Sequence, residues 1–381
     1  MDFDLSDEQR LLRESLSKLL ADRYDFEQRK AYTQTAEGWS RELWSAYGEL
    51  GLLGLPFDER YGGFGGGPVD IMLVMEEFGR ALVVEPFFTT VVLGGALVRL
   101  AASEAQKGQV LPKVAEGKLK LAFAHTERQS RYDLADVTTT AKRDGSGWIL
   151  DGSKSVVLHG DSADKLIVSA RTGGSPRDRQ GIGLFLVDAN ARGVACRGYP
   201  TQDAMRAAEI TLTKVPAEGV LGDPGGALPI IERAVDEAMA ALCAEAVGAM
   251  TALQELTVEY LKTRKQFGVA IGSFQALQHR AADMLVALEQ ARSMALFATM
   301  MAAEENESER RKAIAAAKVQ IGRSAKFVGQ QAIQLHGGIG MTMEYKGGHY
   351  FKRLTMIDTL FGTADHHLAE LARLGGLIDA A

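Results

Sequence analysis

The chain has 381 residues, 46% hydrophobic and 24% charged, with a net charge of −6. That length supports two or three core-forming units, and the balance is that of a soluble globular protein. The negative charge argues against nucleic acid, whose phosphates need cationic partners. Cys196 and Cys243 stand far apart, without metal-ligand spacing and, in a cytosolic protein, without reason to pair. The acidic Met-Asp-Phe-Asp-Leu start lacks a signal peptide's basic and apolar regions. The apolar stretch Met239–Val247 is interrupted by Glu245 and is too short for a bilayer. The expectation is a cytoplasmic protein with no membrane partner.

In chain order, Ser6 and Gln9 fit a capping box, and Leu11, Leu12, Leu16, Leu19 and Leu20 recur at helical spacing. A second helical pattern covers Ser40–Leu53. Tyr61 then opens a glycine-rich stretch through Gly67, which reads as a loop because no strand precedes it. Val69–Gly79 and Thr89–Ala102 are expected helices. Short β-prone runs follow at Val137–Ala141, Trp148–Leu150, Lys165–Ala170 and Gly183–Asp188, separated by Asp-Gly and Gly-Gly turns. They predict a small antiparallel domain in which the polar stretch Arg171–Gln180 is a mobile loop. Helical patterns return at Ala227–Thr263, Phe274–Glu304, Glu307–His336 and Thr363–Leu377. The expected domains are an N-terminal helical domain (1–119), a middle β domain (120–222) and a C-terminal helical bundle (223–381), a mainly α fold with a central β domain.

Three segments carry chemistry. Thr-Arg-Lys-Gln-Phe-Gly at 263–268 places an arginine four residues before a glycine, and a guanidinium suits a diphosphate. Gln-Leu-His-Gly-Gly-Ile-Gly at 334–340 offers an amide and two glycines whose backbone can approach phosphate oxygens. Taken alone, the first reads better as a helix-terminal arginine with a glycine cap, and the second as a glycine-rich break between helices. Leu-Phe-Gly-Thr occupies 360–363.

Together these segments resemble the acyl-CoA dehydrogenase family, and the helical–β–helical order agrees across the whole chain. Within the family the chain is most similar to the small-subunit branch of pimeloyl-CoA dehydrogenases. The resemblance implies FAD as cofactor, bound by Arg264, Gln266, Phe267, Gln334, Gly337, Gly338, Thr126 and Thr363. It implies a tetramer in which one subunit's bundle grips the FAD whose ring lies on another's β domain. The family pattern Thr-Glu-Pro-x-x-Gly-Ser-Asp matches Thr126-Glu-Arg-Gln-Ser-Arg-Tyr-Asp133, with Arg131 in the glycine's place and Tyr132 in the serine's. These two become candidate substrate-binding residues. The family's Trp-Ile-Thr, which meets the flavin ring, is Val156-Val157-Leu158 here.

The family's usual base is the Glu of Tyr-Glu-Gly-Thr, which is Phe361 here; its alternative position on the preceding long helix is Ala238. Neither takes a proton, and Glu237, one residue and roughly 100° away on a helix, is the fallback base. His336 reads as a packing residue beside the cofactor. The leading expectation is a subunit that shares its active site with a second family member in a heterotetramer, acting on an acyl-CoA, with a dicarboxylyl-CoA indicated by the resemblance. Electron-transfer flavoprotein is the implied electron acceptor. A self-sufficient homo-oligomer using Glu237, a non-catalytic assembly paralogue and an oxidase or monooxygenase on the same fold stay open.

Overall fold

The computed structural model describes residues 5–375. The acidic start through Asp4 and the end of the expected 363–377 helix lie outside them. In chain order come α1 (Asp7–Arg23), α2 (Phe26–Thr33), α3 (Arg41–Glu49) and α4 (Pro68–Ala81), then a π-helical segment at Phe88–Gly94, α5 (Gly95–Ala101) and α6 (Glu104–Ala115). Strands follow as β1 (Leu121–Ala124), β2 (Thr140–Asp144), β3 (Gly147–Leu158), β4 (Lys165–Arg171), β5 (Ile182–Asp188), β6 (Val194–Pro200), β7 (Arg206–Pro216) and β8 (Gly219–Leu221). A long helix α7 (Leu228–Thr263) leads to a small hairpin, β9 (Lys265–Gln266) and β10 (Val269–Ala270). Helices α8 (Gln275–Met301), α9 (Glu307–His336), α10 (Lys346–Thr359) and α11 (Ala364–Arg373) complete the chain. The fold is mainly α with a central β region, as expected.

The chain divides into two compact units, Tyr32–Gly67 with Val84–Ala238, and Met1–Ala31 with Pro68–Val83 and Met239–Ala381. In the first, the strands form one sheet in the order β6-β7-β3-β2-β4-β5-β8, with β1 beside β4. The sheet is mixed rather than purely antiparallel. β1 runs parallel to β4 because the β2–β3 hairpin intervenes between them in sequence. Leu150, Val157, Leu166, Val168, Phe185, Ile210 and Val215 form its buried core. The long β3–β7 pairing breaks register between Lys154 and Val157, a bulge that leaves Ser155 and Val156 without ladder partners. Val156 there has φ 51°, a left-handed conformation that β-branched residues rarely adopt.

Two further expectations need correction in this unit. The stretch Thr89–Ala102 is not one α-helix but a buried π segment followed by α5. Gly94 and Gly95 allow it close packing: an added Cβ would lie 2.6 Å from Leu121 Cβ and 2.7 Å from Phe57 Cε1. The Arg171–Gln180 loop is pinned rather than loose. The buried Arg171 guanidinium donates to the carbonyls of Ala135, Pro176, Asp178 and Gln180 at 2.6–2.8 Å. A polar sequence therefore closes on an internal cation, a contact that local composition does not reveal.

The second unit is helical. Its α4 and α7 cross with backbones touching, since a Cβ on Gly79 would lie 1.9 Å from the Glu245 carbonyl and one on Gly248 1.8 Å from that of Glu76. Close by, Glu245 on α7 takes both arms of Arg353 from α10 at 2.6 and 2.8 Å, and both side chains are buried. This bidentate pair fixes where α10 lies, and α10 carries the chain to Phe361. No helix among the described residues is long and apolar enough to cross a membrane.

Candidate cofactor site

In the helical unit the two glycine-linked segments stand on a shared aromatic base. Tyr260, one turn before Arg264, lies 4.6 Å from the His336 ring, centroid to centroid, and His336 is the last residue of α9. His336 Nδ1 donates to the Ala332 carbonyl at 2.8 Å, so its Nε2 accepts from the Tyr345 hydroxyl at 2.9 Å. Burial lowers the His336 pKa and pushes the Tyr345 phenol up to about 12. The histidine is thus a neutral packing group, as its sequence position suggested, and Tyr260 and Tyr345 are anchors that the motifs gave no sign of.

Beyond that base the motif residues face outward. Arg264, Gln266, Phe267, Gln334, Gly337 and Gly338 are all exposed. Phe267 and Gly268, with φ 54° and 80°, make the two-residue turn of the β9–β10 hairpin, where positive φ at both positions matches strand twist. This lifts Phe267 to 92% exposure. A Cβ placed on Gly337 or Gly338 would meet nothing within 4 Å, so both peptides are open to close approach. Exposed guanidinium, amides and bare backbone are donors of the kind that hold an adenosine diphosphate moiety.

The loop carrying Phe361 is held by its main chain. The fully buried Lys318 ammonium, brought down to about 8 by burial, donates to the carbonyls of Ile357 at 2.7 Å and Leu360 at 3.0 Å. His367 Nε2 lies 3.1 Å from the Phe361 carbonyl. Thr363 caps α11, its hydroxyl accepting from the His366 amide at 3.3 Å. Phe361 has φ 58° and Gly362 121°. The loop is constrained around a position whose side chain has no titratable group. Lys318 escaped notice in the sequence because a lysine on a helix ordinarily reads as solvated.

In the β unit, Thr126 and Arg131 line one cleft of about 350 Å³ with Glu127, Arg128, Ser155, Val156, Arg197 and Glu209. Tyr132, the other substrate-binding candidate, is half-buried and is not part of this lining. Arg131 keeps a left-handed backbone, φ 48°, where the resemblance places a glycine. The Thr126 hydroxyl bonds His125 Nε2 at 3.0 Å, and the Val156 amide reaches Glu209 Oε1 at 3.4 Å. Glu127 is structural. Burial alone would raise its pKa, but Lys154 at 2.8 Å and donors from Thr138 and Gln129 prevail and bring it down to about 2. Lys154, also fully buried, falls to about 8 through burial, opposed by Glu127. The free donors here are charged guanidinium groups, three of which crowd the opening where a neutral flavin ring would lie. The bundle residues fit a flavin dinucleotide's phosphates; this chain's own ring side does not fit the ring.

Glu237 is paired twice, with Arg99 at 2.5 Å and Arg233 at 3.3 Å. Ala238 beside it is fully buried. Arg197 and Glu209 went unnoticed in the sequence because β6 and β7 were not foreseen. The alternating pattern of Arg206–Val215 was the available signal.

Family models for the N-terminal, middle and C-terminal domains of acyl-CoA dehydrogenase match residues 6–118, 122–215 and 228–375. A probable acyl-CoA dehydrogenase YngJ of Bacillus subtilis is 30% identical over 98% of this chain and 99% of its own length. Among solved structures, the Tcur3481-Tcur3483 steroid ACAD is 31% identical over 97% of each chain, with a TM-score of 0.87. A glutaryl-coenzyme A dehydrogenase in complex with glutaryl-CoA is 26% identical over 100% of this chain and 98% of its own, also with a TM-score of 0.87.

Proposed function

The chain belongs to the acyl-CoA dehydrogenase family, FAD-dependent oxidoreductases that act on CH–CH bonds, and we propose that it is one subunit of a heteromeric member. In this reading the three matched segments keep their roles as an N-terminal helical domain (1–119), a β domain (120–222) and a bundle (223–381). The reaction is α,β-desaturation of an acyl-CoA thioester, whose carbonyl acidifies the α-hydrogen. FAD supplies the acceptor for the hydride leaving the β-carbon. Arg264 and the open peptides at Gly337 and Gly338 hold its diphosphate, Gln266 and Gln334 bond its polar edges, and Phe267 packs against its rings. Thr363 contributes by fixing the α11 start beside Phe361. A second family subunit supplies the carboxylate that removes the α-proton and the donors that meet the ring.

The observation that carries this reading is the unequal state of the two halves. The bundle's grip is exposed and built on fixed anchors, while Phe361 and Ala238 offer no base and arginines occupy the ring side. The twofold pairing of Glu237 with arginines weighs against its use as a relocated base, which needs a carboxylate free to reach substrate. The Tcur3481-Tcur3483 relative, whose name joins two proteins, supports a mixed assembly. The glutaryl-CoA complex supports a dicarboxylyl thioester as substrate, and the steroid enzyme supports a bulkier acyl group as the competing choice. Electron-transfer flavoprotein is the proposed electron acceptor, as the resemblance implies.

Co-expression with a second family subunit tests the proposal. About half a flavin per chain, with turnover only in the mixed assembly, is the expected result, since one FAD would serve each pair of unlike subunits. Robust turnover by this chain alone, abolished by Glu237→Gln, would overturn it.

A further inference from the structure

We propose that the cleft on the bulged side of β3 is an oxyanion site, built from Arg128, Arg131 and Arg197 and taking a phosphate or carboxylate group in place of a flavin ring. Three independent observations meet there. The first is the space, about 350 Å³ open to solvent. The second is charge without a partner. In the same unit Arg99, Arg177, Arg179 and Arg206 each reach a carboxylate within ion-pair distance. Among the described residues, Arg128, Arg131 and Arg197 have no such partner, and all three line one cleft.

The acidic groups at the cleft do not cancel them. Glu127 is neutralised by Lys154 from behind. Glu209 lies opposite Arg197 across the β6–β7 ladder, yet its Oε1 accepts from the Tyr199 hydroxyl at 3.0 Å and from the Val156 amide. Its charge is felt by Arg128, which with Tyr199 and Ser155 helps hold the Glu209 carboxyl low against the effect of burial. Three cations against one half-buried anion leave the cleft positive, in a chain whose net charge is −6. Planar guanidinium forks match the oxygens of phosphate and carboxylate groups.

The third observation is backbone strain at the lining. Arg131 and Val156 both hold left-handed φ, 48° and 51°, and neither is glycine. Strained residues of this kind persist where surrounding structure fixes them, and they cluster at ligand sites. The strain carries the Arg131 side chain on a backbone shape that would otherwise call for glycine.

The inference rests on reading the ring side as no longer a flavin site, but its test needs no flavin. The flavin-free full chain is titrated by calorimetry with diphosphate, pimelate and coenzyme A. The same is done for a variant with Arg128→Ala, Arg131→Ala and Arg197→Ala. Because all three side chains are exposed, the variant is expected to fold, and an unchanged thermal transition checks this. At least one anion should bind the wild type, with affinity falling as salt rises, and at least tenfold more weakly to the variant. Tighter binding of diphosphate and coenzyme A assigns the cleft to phosphate; tighter binding of pimelate assigns it to a carboxylate. Absence of anion binding by the wild type, or equal binding by the variant, overturns the proposal. So does stoichiometric loading of FAD by the chain alone with the arginines in place. The flavin count of the co-expressed assembly decides the shared-site reading separately, so either proposal can fail without the other.

Discussion

The bundle and the β unit treat their motifs in opposite ways. In the bundle the motif residues stand and their supports are hidden: Tyr260, Tyr345 and His336 lock together beneath residues that stay open to solvent. In the β unit the shape stands and the chemistry has changed. Arg131 occupies a left-handed backbone without being glycine, and Val156 sits in a bulge without offering a side-chain donor. Backbone geometry is enforced by many neighbours at once, here the β3–β7 ladder and the Glu127–Lys154 pair, whereas a side chain at a cleft's edge changes without disturbing them. Phe361 shows the same separation inside the bundle, since its carbonyl and its neighbours remain held while its side chain is inert.

The sharpest way to break this comparison is to remove the supports. Each region leans on a buried ion pair, Glu245–Arg353 in the bundle and Glu127–Lys154 in the β unit. Removing one partner leaves an uncompensated buried charge, at a cost of roughly 3–5 kcal/mol. Arg353→Ala and Lys154→Ala should therefore each lower the urea midpoint strongly. A loss under 1 kcal/mol in either would show that its pair is not a support.

Acid should act next most strongly, and on the β unit. The Glu127 carboxyl titrates near 2 in the folded chain against an ordinary 4.5, so its stabilisation is fully present above about pH 4.5 and is lost as pH falls toward 2. The loss is on the order of 3 kcal/mol, and it should vanish in Glu127→Gln, followed by circular dichroism of urea unfolding at each pH.

A smaller effect separates grip from support in the bundle. Arg264→Ala should weaken FAD retention by the mixed assembly about 10- to 100-fold, the worth of one charge-assisted contact, with the urea midpoint unmoved because the side chain is exposed. Fluorescence of released flavin on dilution reads this. In the β unit, Arg131→Gly should stabilise the chain by about 1 kcal/mol by relieving the left-handed φ. The smallest expected effect is on activity. Phe361→Glu returns a carboxylate to the loop, yet the chain alone should gain no turnover with an acyl-CoA and an artificial acceptor, because three arginines still crowd its ring side. Turnover by that variant would show that the missing base was the only lesion.

Much of this was legible in the sequence. The helix patterns of α1, α7 and α9, the capping box at Ser6 and the order of helical and β segments all follow from local periodicity and end signals, which short-range physics governs. The glycine segments and Phe361 were visible because their residue types are the signal. Strands β6 and β7 were not, since their residues acquire a buried side only once β3 lies alongside. The loop Arg171–Gln180 read as loose because the cation that closes it is counted as polar in sequence and buried only in the fold.

The sequence by itself determined the family, the three-part order and the absence of a titratable group at positions 361 and 238, because these depend on residue identity and local pattern. Only the tertiary structure decided that Glu237 is tied to Arg99, that Lys318 holds the Phe361 loop, and that three arginines from two segments meet at one bulged strand. Those facts arise from contacts between residues distant in the chain, where burial and charge are set by neighbours that no local window contains.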